Sequence, residues 1–253
     1  MSYAQVARSN LVIYCYADDM RTEPRGVGSI VHATQRGVRG SAITRDTWDQ
    51  NHFRKLLFYP NDTFSDQNWL KSIQTCAPFE RPPHWPERDP LVRVLAWTLM
   101  PNHFHLLLEE IREHGIAKFM QRLCGSMSMT FNAKYNERGS LFQGSYKSKT
   151  VDDDTYLRYL AYYIQVKNVL ELYPGGLRTA VQNFDDAWEW ALRYPFSSLS
   201  AYAANTASPI VDTNRFLEIF PDAGLSKDEA LEMLLLHMES HDEKYDNLAL
   251  EPW

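Results

Sequence analysis

The chain has 253 residues, 26 Lys+Arg against 32 Asp+Glu, a formal net charge of −6, and is 44% hydrophobic and 23% charged. Those values exclude general disorder, and no apolar run approaches the ~18 residues that a membrane-spanning helix needs. An acidic total also argues, at first sight, against nucleic acid, whose phosphates demand a basic surface. Cys15, Cys76 and Cys124 are odd in number, far apart and form no C-x-x-C, so neither a disulfide framework nor a cysteine zinc site is legible. Leu11 to Ala17 lacks the basic start and cleavage site of a secretory signal. A reduced cytoplasmic compartment is therefore the expectation.

Residues 1–27 read as an N-terminal extension. Within it, Tyr16-Ala17-Asp18-Asp19 copies a reverse-transcriptase signature, but only fifteen residues precede it and a palm domain needs far more. Ser29 to Thr34 alternates apolar and polar residues as a strand does, ahead of a turn at Gly37-Val38-Arg39-Gly40. Asp46 to Tyr59 has the spacing of a helix. Five prolines between Pro78 and Pro90 predict a loop or inserted excursion over 77–91 rather than a core element. Val92 to Met100 and His103 to Glu109 read as two strands joined by a tight turn at Pro101-Asn102. Ile116 to Tyr135 is an amphipathic helix ended by Arg138-Gly139, and Ser140 to Lys149 an extended basic segment. Asp152 and Asp153 cap a helix running from about Asp154 to Glu171. A boundary at Tyr173-Pro174-Gly175-Gly176 separates residues 28–175 from a helical C-terminal appendage, 176–253, acidic from about 208. The order predicts an α+β fold, a mainly antiparallel sheet with helices on one face.

Charge is unevenly distributed along this order. From Ile111 to Lys149 seven basic residues face two acidic ones, whereas from Ala201 to Trp253 there are three basic and eleven acidic, leaving +2 for residues 1–200. Whole-chain acidity thus describes neither part, and the acidic tail could cover a basic groove.

Two constellations can carry chemistry. In a strand, His103 and His105 point to one face with Phe104 to the other, so both imidazoles can reach one cation; the alternative is two histidines that alternate on a half-buried strand without ligating anything. Position 107 is leucine, which removes the histidine-triad hydrolases, and H-E-x-x-H is absent. Tyr156, Tyr159 and Tyr163 form a stripe on the last helix. It is either core packing or the source of a phenolate nucleophile, which would need a nearby cation to ionise.

Met100-Pro101-Asn102-His103-Phe104-His105-Leu106-Leu107-Leu108 resembles the M-P-N-H-x-H-L-L-L strand of the single-tyrosine HUH transposases, insertion-sequence type, and most of all the REP-associated tyrosine transposases. Gly28 to Arg39 (GSIVHATQRGVR), Arg138 to Lys149 (RGSLFQGSYKSK), Asp154 to Asn168 (DTYLRYLAYYIQVKN) and Tyr194 to Ser198 (YPFSS) are similar to further family blocks, in family order. The resemblance implies a ferredoxin-like, RRM-like sheet, Mg²⁺ or Mn²⁺, and single-stranded or hairpin DNA as substrate of a monomer or homodimer, with no membrane. It makes His103 and His105 the metal pair and Tyr163 the nucleophile of a DNA strand-cleaving and rejoining enzyme working through a 5′-phosphotyrosine.

One departure touches the site. The family's third ligand, Gln or Asn, lies four residues after the tyrosine, where this chain has Lys167; Asn168 comes one place late, and Val169 replaces the expected proline. Three readings stay open: the helix bulges to bring Asn168 in, Gln165 substitutes, or the Lys167 ammonium itself serves the phosphate. DNA contacts are expected from Arg122, Lys134, Arg138, Gln143, Lys147 and Lys149, with Phe142 and Tyr146 as stacking surfaces. The departures also motivate a second reading, a catalytically silent descendant that binds hairpin nucleic acid as a regulator.

Overall fold

The computed structural model describes residues 26–220 and 225–239. The signature at Tyr16, the secretory candidate, Cys15 and the last fourteen residues lie outside them. Strands β1 (Ile30–Arg36), β2 (Val92–Leu99), β3 (His103–Glu110) and β4 (Lys147–Thr150) form one sheet in the order β2-β3-β1-β4, with every pairing antiparallel. Helix α1 (Thr47–Phe58) separates β1 from β2, and α2 (Gly115–Tyr135) separates β3 from β4. This is the β-α-β-β-α-β order of the ferredoxin-like fold.

Strand alternation divides the buried side chains into two layers. Val31, Ala33, Trp97, Leu99, Phe104, Leu106 and Leu108 pack with Phe53, Leu56 and Leu57 of α1 and with Ile116, Phe119, Met120 and Leu123 of α2. Leu107 faces the other way, joined by Leu95 and Ala96 at a register shift in β2. That second face is covered by α3 (Asp154–Tyr162), which Asp153 caps by accepting the Tyr156 N–H. The helix passes through a π-helical turn (Tyr163–Lys167) and ends in one α-turn (Asn168–Glu171).

The stretch after Gly175 is helical as expected: α4 (Gly176–Gln182), α5 (Phe184–Arg193), α6 (Leu199–Ala203), α7 (Thr213–Ile219) and α8 (Lys227–Glu239). It is bound tightly to the sheet. Ser197 bridges Thr98, Val211 bridges Val94, and Arg215 of α7 forks onto the buried carboxylate of Glu109. The basic segment is less extended than its composition implied. Helix α2 stops at Tyr135, with Asn136 in the left-handed region; Lys147–Thr150 joins the sheet as a strand, and Phe142 adds a single bridge to Gly37. The proline-rich loop has no regular structure, yet Trp85 inserts into the main core, so the loop is packed down rather than projecting.

His52 on α1 illustrates a cost this core carries. It is stacked between Trp48 and Trp69, is 5% exposed, and neither ring nitrogen has a hydrogen-bond partner among the described residues. Burial, assisted by Lys55, pushes its pKa down to about 4. A histidine depressed in the folded state is neutral in both states above its unfolded pKa, and its contribution is lost as pH falls from about 6.5 to about 4. Up to roughly 3 kcal/mol of stability should disappear over that window. His52→Phe, which keeps the stack, should flatten the pH 7 to pH 5 stability difference in urea melts; an unchanged slope would assign the loss to other groups.

Candidate functional site

The site is assembled where the tyrosine helix crosses β3. His103 and His105 lie on the face opposite Phe104, as strand alternation requires, with ring centroids 5.0 Å apart. The ring of Tyr163 stands edge-on to His105 at 5.5 Å and beside Tyr159 at 5.9 Å. Of the three stripe tyrosines, Tyr163 is therefore the one brought against the histidine pair. It is 2% exposed, and His237 of α8 lies 6.5 Å from its ring.

Both histidines are held through Nδ1. His103 Nδ1 meets Asn102 Oδ1 at 2.6 Å, and His105 Nδ1 meets His32 Nε2 at 2.9 Å. With the proton on Nδ1, each ring carries its lone pair on Nε2, the arrangement in which a second residue orients a metal-ligating histidine. His32 itself is fully buried on β1, its ring stacked on His105.

The π-turn changes which residue falls one turn beyond Tyr163. The Asn168 N–H reaches back five residues to the Tyr163 carbonyl, in place of the Ile164 carbonyl that an α-helix would offer it. Thr98 of β2, directly across from His105, donates its hydroxyl to that Ile164 carbonyl, so the sheet satisfies the group the wider turn releases. The extra residue in the turn puts Asn168 one turn beyond Tyr163 despite its late position in sequence. Its side chain is fully buried, and neither Oδ1 nor Nδ2 has a hydrogen-bond partner among the described residues.

The other two possibilities for the third position are engaged elsewhere. Gln165 Oε1 accepts from Ser198 Oγ at 2.9 Å, and Ser198 in turn accepts the Trp97 N–H at 3.0 Å, which ties the glutamine to the YPFSS segment. Lys167 Nζ pairs with Glu171 at 2.9 Å and sits 4.9 Å above the Tyr163 ring. Among the described residues no third histidine, cysteine or carboxylate joins the pair.

The expected DNA contacts separate into two groups. Arg122 donates to the carbonyls of Pro60, Asp62 and Phe64 and braces that loop. Lys134 binds Asp46 and Asp49 at 2.7 Å; burial opposes its charge, but the two carboxylates outweigh that and raise its pKa. Phe142 is 4% exposed and packs against Phe104. These three are engaged within the fold, for one reason: α2 and the segment after it pack on the sheet face away from the histidines, where their side chains find internal partners. Arg138 and Gln143 are exposed, and Tyr146 is half-buried against the main core. Lys147 and Lys149 do reach the histidine face, because β4 pairs them with Thr34 and His32. Lys149 Nζ lies 4.7 Å over the ring of Tyr156.

Sequence reasoning missed His32 and Arg36. Period-two alternation places His32, Thr34 and Arg36 on one face of β1, and the pairing of β1 with β3 makes it the histidine face.

Residues 87–167 match the family model described as "Transposase IS200 like". No curated protein matches the chain. A solved structure of a REP-associated tyrosine transposase bound to a REP hairpin is similar at 12% identity and a TM-score of 0.41, over 76% of this chain and 94% of that one. Likeness at that level carries no argument about the site. No helix among the described residues is long and apolar enough to cross a membrane.

Proposed function

From a chain whose residues 87–167 match the IS200-like transposase family model, we propose an enzyme that cuts and rejoins single-stranded, hairpin-bearing DNA with Tyr163 as nucleophile. The observation that carries this reading is the π-turn, which sets an unpartnered, fully buried Asn168 amide one turn beyond a tyrosine packed on His105.

An amide buried without partners is costly and is explained by a ligand that it meets. His103, His105 and the Asn168 carbonyl oxygen would hold a divalent cation, Mg²⁺ or Mn²⁺, and this donor set leaves positions for phosphate oxygens. Bound there, the ion would withdraw charge from the non-bridging oxygens of a phosphodiester. The chain's own residues do the rest. The Tyr163 hydroxyl gives up its proton as its oxygen bonds to phosphorus; the bond from phosphorus to the 3′ oxygen breaks, and that oxygen takes up a proton. The 5′ side of the break remains on the tyrosine. Attack by a 3′-OH reverses each change and rejoins a strand without an external energy source. The Lys167 ammonium lies 4.9 Å from the centre of the Tyr163 ring and is paired with Glu171.

The burial of Tyr163 beside His237 favours one alternative, a hairpin-binding regulator whose tyrosine never meets DNA. An enzyme must instead move α8 to admit the phosphate. One experiment separates the two. The full chain is incubated with hairpin-bearing single-stranded DNA and Mn²⁺, and a covalent adduct is sought on a denaturing gel. An adduct that falls on the order of 10³-fold or more in Tyr163→Phe supports the enzyme. Tight hairpin binding with no adduct supports the regulator, and cleavage that survives Tyr163→Phe eliminates the tyrosine mechanism.

A further inference from the structure

The histidine face of the sheet carries a cation that none of the roles above uses. Arg36 closes β1 and is the direct cross-strand partner of His103. Residues opposite each other in an antiparallel pair share a face, with Cβ atoms about 4.5–5.5 Å apart. Arg36 shares strand parity with His32, whose ring stacks on His105, so its side chain leaves the sheet on the side where Tyr163 lies.

Its surroundings differ from those of the other arginines near the sheet. Arg45, Arg81, Arg93, Arg112 and Arg215 each hold a carboxylate. Among the described residues no carboxylate pairs with Arg36, which is half-buried, with its backbone held by the Gln143 N–H and by the β1–β3 ladder. The next cations on this face are Lys147 and Lys149, one strand further from the histidines. A fork of guanidinium donors beside His103, with no internal anion, is built to receive an external one, and a phosphate's two non-bridging oxygens match that fork.

Resting on the reading of Tyr163 as nucleophile, we propose that Arg36 binds the scissile phosphate and stabilises the charge that builds on its non-bridging oxygens as the tyrosine attacks. Arg36 exchanges no proton and forms no bond in the step. It donates hydrogen bonds from the β1 side of the phosphorus while the histidine pair serves the β3 side. Lys147 and Lys149, on the edge strand β4 beside the part of this face that α3 covers, then meet flanking phosphates of the same strand.

The test is single-turnover adduct formation by the full chain on hairpin-bearing DNA with Mn²⁺, for wild type, Arg36→Gln and Arg36→Lys. Hairpin affinity is measured by anisotropy alongside, and thermal melts report folding. Arg36→Gln should slow the adduct on the order of 100-fold with hairpin affinity unchanged, and Arg36→Lys should recover part of the loss. On a substrate with a methylphosphonate at the scissile position, which lacks the charged oxygen, the penalty of Arg36→Gln should largely vanish. Wild-type speed in a folded Arg36→Gln overturns the proposal and leaves the tyrosine mechanism standing. So does a loss that matches the loss in hairpin affinity, or one that persists in full on the methylphosphonate. Absence of an adduct with wild type removes the nucleophile reading, and this proposal with it.

Discussion

Asn168→Leu is expected to make the metal-free protein more stable by about 1–3 kcal/mol while abolishing metal-dependent strand cleavage. The two effects have one origin. The Asn168 side chain is fully buried, with both amide atoms unpartnered, so in the absence of a cation it carries the desolvation penalty of two polar groups. Leucine has the same branching and number of side-chain heavy atoms and nothing to desolvate, its bulkier methyls setting an overpacking cost against that gain, and the neighbouring Val166, Val169 and Leu170 show that the helix accepts apolar side chains on either side. The loss of function follows because His103 and His105 alone are a weak site for a hard cation. Urea melts in EDTA and in Mn²⁺ read both halves. Wild type should gain about 2.7 kcal/mol at a metal concentration 100 times its dissociation constant, and Asn168→Leu almost none. A leucine variant less stable than wild type in EDTA would show that the amide is satisfied in the folded protein, and the case for Asn168 as ligand would fall.

His32→Phe should raise the Mn²⁺ concentration needed for half-maximal adduct formation by about 10- to 100-fold, with activity recovering at saturating metal. The ring of His32 stacks on His105, and its Nε2 lies 2.9 Å from His105 Nδ1. Phenylalanine keeps the stack and removes the acceptor, so the proton on His105 is no longer held at Nδ1 and the ring is free to turn. Recovery at high metal distinguishes this orienting role from ligation: His105→Ala should show none. If His32→Phe titrates like wild type, the histidine contact is packing alone.

The separate elements were largely legible in the sequence because their causes are local. Asp46 and Asp153 accept the N–H groups of Asp49 and Tyr156, as N-caps three residues ahead must. The proline cluster forbids regular structure over 77–91, and period-two alternation placed His103 and His105 on one face. The placement of the residues expected to contact DNA was less legible. Counting lysines and arginines along 111–149 treats them as one surface, whereas the sheet divides them between its two faces, and internal carbonyls and carboxylates take Arg122 and Lys134.

The sequence alone determined which chemistry was available: two histidines on one strand face, a tyrosine stripe on a capped helix, and an asparagine one residue late for an α-helical turn. Only the tertiary structure decided how these are placed. Whether position 167 or 168 falls one turn beyond Tyr163 depends on an i to i+5 turn, and that turn is stabilised by a hydroxyl on β2, sixty-six residues away, bonding the Ile164 carbonyl. No local pattern encodes such a contact, because the free energy that favours the wider turn is released only when helix and sheet meet. The same holds for His32 and Arg36, whose proximity to the site comes from strand pairing across about seventy residues.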